Sequence, residues 1–467
     1  MFVFYAFLTA LLLSVIGIFY IKNFQLENYK IKNYLIKVAK FQYSFTDKNF
    51  LIWTNRIKRL LFCDFFVNFL IFLIVFYYLC NYFSLFVILP FVILRQFEII
   101  ISFVICYPIE QLIKSFYLKK AKKKLSKMKC KKIAITGSFG KTSTKNILKE
   151  ILQSKFDVCA TPKSYNTPMG VCKTILSDLK ETDDFFVVEF GARRKGDIEF
   201  LANFVGVDFG IITPIGKCHI ESFKSVENIE NTKYELCQES KNFVVFNGKS
   251  VSSKKLFERF SRQKYLTCQK GGLAYAKNIS SSNSGSRFEL VLDEKSYFCH
   301  TKLLGKANID NIVTASAMAY LVGVDPTDIV DAIRKLSATP HRLELITGQV
   351  ATVIDDSYNS NYDGFSQALD VLKSFGGRKI VVSPGMVELG KNQYQQNFEI
   401  AKKVASVADV FVIMNKTNKT ALTDGAKNGG AQILYANSRR EQKELLKNIL
   451  NKGDVVLFEN DLPDNFK

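Results

Sequence analysis

Apolar and polar positions divide the chain into two textures. From Met1 to Tyr20 the residues are apolar or small, and at ~1.5 Å rise per residue a helix of that length crosses a ~30 Å hydrocarbon core. A second apolar stretch runs from about Leu60 to about Phe83 and a third from about Leu85 to about Cys106, the latter interrupted by Pro90 and Arg95. Arg95 and Glu98 stand three apart on one helix face, a spacing that lets them pair. A tight hairpin or a re-entrant segment fits these last two stretches as well as two full spans. From Lys131 the texture changes to short β-branched runs alternating with helical periodicity, the pattern of an α/β fold with a mostly parallel sheet. Predicted strands are 131–136, 185–190, 209–213 and 243–246, then, beyond a boundary near Ala338-Thr339-Pro340, 351–355, 379–382, 410–413 and 455–458. A helix is predicted over about Asn308 to Leu321, and residues 278–286 read as a polar turn in a β-rich insert.

Charge sharpens the first part of this picture. Of the formal net charge of +21, roughly +13 falls in residues 1–130, where about 18 Lys/Arg face about 5 Asp/Glu. The excess flanks apolar segments, at residues 21–59 and in the run Lys119-Lys120-Ala121-Lys122-Lys123-Lys124. That placement predicts a multi-pass protein of the cell membrane with both basic stretches, and everything after residue 114, on the cytoplasmic side. It argues against a nucleic-acid partner, for which no motif is present. A signal peptide is disfavoured because no basic region precedes the first apolar run and no small-residue cleavage site follows it. Ten scattered Cys without a CxxC pair predict reduced thiols and no zinc site.

The most informative chemistry follows the predicted strand 131–136. In Gly137-Ser138-Phe139-Gly140-Lys141-Thr142, a strand leads into a helix whose N-terminal amides face an anion. Gly137 and Gly140 permit a tight backbone, Lys141 offers a charge to the β- and γ-phosphates, and the Thr142 hydroxyl offers a ligand to Mg²⁺. The longer GxxxxGK[ST] loop is excluded, because Ile135 stands where its first Gly belongs.

The short loop, Thr136 to Ser143, resembles the ATP loop of the Mur ligases, the ATP-dependent amide ligases that build the peptidoglycan stem peptide. Other segments agree in order. Thr161 to Gly170 is similar to the family's Asn-containing substrate loop, with Asn166. Glu189-Phe190-Gly191-Ala192 is similar to its Mg²⁺-binding segment, His219-Ile220-Glu221 to its His segment, and Thr232-Lys233-Tyr234-Glu235 to its modified-lysine segment. Asn308-Ile309-Asp310-Asn311 resembles the asparagines beside the adenine, and His341-Arg342-Leu343-Glu344 the phosphate-contacting arginine at the domain junction. Asp355 to Asn361 and Gly385 to Gly390 resemble the branch that adds D-alanyl-D-alanine to UDP-MurNAc-tripeptide. Three departures stand out: hydrophobic helices replace the family branch's small UDP-gripping domain, Tyr362 replaces a Pro, and the chain ends Phe458-Glu459-Asn460-Asp461-Leu462-Pro463 instead of on a Lys-Gly-Ser-type segment.

The apolar stretches mark a membrane region (1–129), and the resemblance implies a central P-loop-type ATPase domain (130–338) and a C-terminal Rossmann-like domain (339–467). It implies ATP and two Mg²⁺ as cofactors, and a UDP-MurNAc-peptide and D-Ala-D-Ala as partners; the apolar segments add membrane lipid. Gly137, Ser138, Gly140, Lys141, Thr142 and Ser143 would cradle the triphosphate. Thr142, Glu189, His219 and Lys233, the last carbamylated, would hold metal. Asn308 and Asn311 would flank the adenine and Asp356 the ribose. Arg342 would meet the γ-phosphate, and Asn166, Tyr358 and Asn359 the substrate. Asp355 and Asp356 point opposite ways in an extended segment, so only one of the two faces the site. Other readings are a related ligase with a different or lipid-linked acceptor, a non-catalytic membrane scaffold, and a transport or motor ATPase, which normally carries the longer loop.

Overall fold

The computed structural model describes residues 2–27, 29–40, 51–78, 85–216, 220–282, 284–348, 350–358, 360–387 and 389–461. The chain divides into two compact units between residues 117 and 118.

The first unit is helical: α1 (Phe2–Leu26), α2 (Ile31–Ala39), α3 (Asn55–Tyr78) and most of α4 (Leu85–Leu125). Among the described residues, three helical segments, Val3–Leu26, Asn55–Tyr78 and Leu94–Leu125, are long and apolar enough to cross a membrane. Ile21, Phe24, Tyr34, Ile57, Ile99 and Phe103 form an inner cluster, while Leu12, Phe62, Ile74, Ile101 and Val104 point outward.

Two features differ from the sequence expectation. The third apolar stretch does not break at Pro90 or Arg95: one helix runs through Pro90 and Pro108 to Leu125, since a Pro removes only one helix donor and apolar helices tolerate the loss. The basic stretch 21–59, expected as a loop, is also partly helical, in the end of α1, in α2 and in the start of α3. Arg95 does pair with Glu98, at 3.0 Å, but its main partner was not anticipated. Fully buried, it forms an ion pair with Asp64 of α3 and donates to the carbonyl of Leu13 of α1 at 2.8 Å. A Cβ on Gly17 would lie 2.4 Å from its guanidinium. Ser14 and Ser102 add hydroxyl bonds to Asp64 at 3.3 and 3.2 Å. An intramembrane-type charge is costly unless paired in this way.

The second unit carries two sheets. The strands of the first are β1 (Lys131–Thr136), β2 (Val158–Ala160), β3 (Phe185–Glu189), β4 (Phe209–Ile212), β5 (Val244–Asn247), β6 (Lys264–Thr267), β7 (Ala274–Ser282), β8 (Gly285–Leu292) and β9 (Lys295–Thr301). Their order is β2-β3-β1-β4-β5-β6-β7-β8-β9. Pairing is parallel as far as β7 and antiparallel through β7-β8-β9. Both faces of the parallel part are covered, which is why β3, β4 and β5 read as unbroken apolar runs. Residues 278–286, expected as a turn, are mostly hairpin strand instead. Cross-strand pairing of β7 with β8 overrides the low strand propensity of Ser and Asn, at the cost of an irregularity between Lys277 and Ser280.

The second sheet comprises β10 (Glu344–Thr347), β11 (Ala351–Asp356), β12 (Lys379–Ser383), β13 (Val410–Met414), β14 (Gln432–Ala436) and β15 (Asp454–Glu459). Its order is β10-β11-β15-β12-β13-β14, parallel except for β10. The predicted strands appear within a residue or so of their expected ends, and the Ala-rich helix spans Lys306–Leu321.

Candidate active site

Open parallel sheets bind ligands beyond the C-terminal ends of their strands, and the loop residues Gly137 to Thr142, Glu189 and Asn166 collect there. β1 ends at Thr136 and α5 (Lys141–Leu152) begins after four intervening residues. The loop between them needs its glycines. Gly137 has φ 150° and Gly140 φ 76°; a Cβ would lie 2.0 Å from Thr213 Oγ1 at the first and 2.4 Å from Asn311 Oδ1 at the second. Ser138 and Phe139 anchor the crown by donating their N–H groups to Pro214 O at 3.0 and 3.1 Å. The Lys141 ammonium lies over it, 3.0 Å from Gly137 O and 3.1 Å from Ser138 O.

Register places the carboxylate. Ile135 of β1 pairs with Glu189 of β3, so Glu189 stands beside the loop at the sheet's end. The residue is 1% exposed. Oε2 accepts from Thr142 Oγ1 at 2.8 Å and Oε1 from Asn166 Nδ2 at 3.0 Å. Gly191 holds the Asn166 backbone through a 2.9 Å bond, and a Cβ there would meet the Asn166 amide at 2.8 Å. Thr142 and Glu189 thus converge as hard oxygen donors, the set Mg²⁺ prefers, and the glycine cradle with helix-start amides suits a phosphate.

The other predicted residues divide. Ser143 is buried on α5. Asn311 Oδ1 accepts from Thr144 Oγ1 at 3.2 Å, while Asn308 donates to Leu304 O at 2.9 Å; both lie on the helix Lys306–Leu321, which packs along α5. Lys233 is buried on the helix Val226–Glu239, against β1 and β4. Arg342 stacks on Tyr358, with 4.4 Å from guanidinium to ring centroid. His219 and Asn359 lie outside the described residues.

Asp355 and Asp356 do face different groups. Asp355 pairs with His341 at 2.8 Å, and Asp356 accepts from Leu343 N at 3.2 Å. Parallel register then sets Asp356 beside Glu459 of β15. Burial pushes the Asp356 carboxyl up to about 6, against the pull of Arg342. Burial and the neighbouring Asp356 raise Glu459 well above the carboxylate range.

The sequence and the fold match known proteins. The Mur ligase middle domain matches residues 135–319 and the Mur ligase glutamate ligase domain residues 341–459, together well over half of the chain. The chain belongs to the Mur ligase family. Two relatives named UDP-N-acetylmuramoyl-tripeptide–D-alanyl-D-alanine ligase show the extent of the likeness. That of Buchnera aphidicola is 29% identical, over 70% of this chain and 71% of its own length. That of Bacillus subtilis is 26% identical, over 72% and 74%. The MurF ligase of Thermotoga maritima, solved in complex with ADP, superposes with a TM-score of 0.66 at 26% identity, covering 74% of this chain and 80% of its own. MurF from Acinetobacter baumannii shares the fold with a TM-score of 0.68 at 24% identity, over 74% and 77%. As a Mur ligase the chain is an ATP-dependent ligase that uses Mg²⁺.

One residue at the Mur ligase site escaped the sequence reading. Lys145 is fully buried, donates to Lys163 O and lies 3.9 Å from Glu189 Oε2. Its ammonium is pushed down to about 8, chiefly by burial; Lys149 and Arg342 add to the fall and Glu189 opposes it. The available signal was its spacing, one turn after Lys141 on the same helix. Lys163, at φ 48°, begins the loop that carries Asn166. Lys145→Met should therefore loosen that loop. The expected result is an acceptor KM raised about tenfold, the scale of one buried charged hydrogen bond, with the ATP KM within about twofold; steady-state kinetics with each substrate varied checks the split.

Proposed function

We propose that this chain joins D-alanyl-D-alanine to UDP-MurNAc-tripeptide at the cytoplasmic face of a membrane, into which its N-terminal helices insert. The observation that carries the chemistry is the convergence of Lys141, Thr142, Glu189 and Asn166 at one strand end. The acceptor assignment rests on the names of the relatives and on the ordered segments from Asp355 to Asn361 and from Gly385 to Gly390. The membrane assignment rests on helix length, apolarity and flanking lysines.

A carboxylate is a poor electrophile in water. The tripeptide's terminal carboxylate attacks the γ-phosphorus of ATP, releasing ADP and forming an acyl phosphate. The amine of D-Ala-D-Ala then attacks the acyl carbon, expels phosphate and loses a proton to give the amide. Two anions must meet in the first step, so fixed cations and dipoles dominate the catalysis. In this reading the loop 137–143 and Lys141 hold the triphosphate. Arg342 neutralises the γ-phosphate, Asp356 accepts from the ribose, and Asn308 and Asn311 border the adenine. Asn166, Tyr358 and Asn359 orient the acceptor. Mg²⁺ would be held by Thr142 and Glu189, with His219 and a carbamylated Lys233 at a second site, and would supply Lewis-acid charge neutralisation.

A second reading keeps this chemistry and changes the acceptor to a lipid-linked precursor. It is favoured by the apolar helices that precede the matched region, which begins at residue 135. Purified full-length enzyme supplied with ATP, D-Ala-D-Ala and the soluble UDP-tripeptide should release phosphate only when all three are present, with the product identified by mass. Release with a lipid-linked acceptor alone would select the second reading, and release with neither would sink both.

A further inference from the structure

A groove on the ligase unit lies far from the ATP loop. It has a volume of about 500 Å³ and is lined by Lys120, Lys123, Lys124, Lys127 and Lys180, besides Glu181. Lys120, Lys123 and Lys124 recur at three- and four-residue spacing on the end of α4, and Lys127 continues that face. Ala121, Leu125 and Met128, between them, are buried in the ligase core, so the lysines stand on a docked surface rather than a loose tail. Among the described residues, no ion pair engages any of the five lysines, and Lys124 makes only a 3.4 Å bond, to Leu176 O. Five cations against one carboxylate in a single concavity repel one another unless an anion sits between them.

The groove's position selects among anions. Met128 and Leu179 to Glu181 precede β1 and β3, at the N-terminal ends of those strands. The ATP loop follows β1 at its other end, roughly 20 Å away at ~3.3 Å per residue. A phosphate bound in the groove is therefore no part of the reaction. The helical segment Leu94–Leu125, long and apolar enough to cross a membrane, ends in these lysines. Lysine clusters next to such a segment meet the anionic headgroups of the leaflet.

We propose that this groove binds the phosphate of an anionic phospholipid headgroup. The inference rests on the membrane reading above, and the two can fail separately. Insertion is tested by alkaline carbonate extraction of membranes containing the full chain, which should leave the protein in the pellet. Headgroup binding is tested on the detergent-purified full chain with short-chain phosphatidylglycerol and phosphatidylcholine, by native mass spectrometry. Phosphatidylglycerol should be retained at least about fivefold better, and Lys123→Gln/Lys127→Gln should erase the preference. Lys119→Gln/Lys122→Gln, which removes equal charge from the same helix outside the groove, should preserve it. Ligase turnover should stay within about twofold in both variants. Equal retention of the two lipids, or equal loss in both variants, would overturn the proposal. So would inorganic diphosphate binding in the groove while phosphatidylglycerol does not, since that marks a site for a soluble anion.

Discussion

Lys141→Ala should reduce ATP-driven ligation by at least about a thousandfold while the chain still folds. The ammonium is centred over the loop proposed to cradle the β- and γ-phosphates, 3.0 and 3.1 Å from the carbonyls of Gly137 and Ser138. Its charge opposes the build-up of negative charge as two anions approach, a contribution water cannot replace in a closed site. The structural cost is small by comparison. Two loop hydrogen bonds are worth about 0.5–1.5 kcal/mol each, against a typical 5–15 kcal/mol for a folded domain. Lys141→Arg should not rescue, because a planar fork does not occupy the space of a compact ammonium. Phosphate release and thermal unfolding, measured on the same preparation, separate the two effects. Unchanged turnover in Lys141→Ala would remove this loop from the reaction altogether.

Legibility followed the range of the interactions. Strands such as 185–189 and 410–414 were readable because a parallel strand buried on both faces is written as a local apolar run. The polar segment 278–286 was misread because its pairing with β8 is dictated by the partner strand and not by its own residues. Helix α4 was misread at Pro90, where local propensity says break but the apolar surroundings of the helix permit continuation. The site divides in the same way. Gly137 to Thr142 could be read as phosphate chemistry because strand, loop and helix start are contiguous. Glu189 and Asn166 could be named only through ordered resemblance, since their convergence depends on sheet register. Glu459 had no signal at all. It comes from the last strand, which inserts between β11 and β12, and meets Asp356 only through that topology. The partnership of Asp64 with Arg95, joining α3 to α4, was hidden for the same reason.

Glu189→Gln tests the other pole of the site, and its expected loss is again at least about a thousandfold in turnover. The amide keeps the size of the side chain but gives up the charge that a hard divalent cation requires. A lower turnover alone would not distinguish metal binding from misfolding, because Glu189 is also the carboxylate 3.9 Å from the buried Lys145. Removing it leaves that ammonium without its nearest counter-charge, a cost of about 1–3 kcal/mol. Burial already pushes the Lys145 ammonium down to about 8. Loss of Glu189, which holds that value up, should lower it further, so the destabilisation is greatest at low pH and fades as the pH rises and the amine becomes neutral in the folded state. The double variant Glu189→Gln/Lys145→Met removes both charges and should regain most of the lost stability, as paired buried charges do when deleted together. Its turnover should remain at the floor of the single variant, and added Mg²⁺ should not restore it. Recovery of turnover along with stability would mean that Glu189 serves only to balance Lys145.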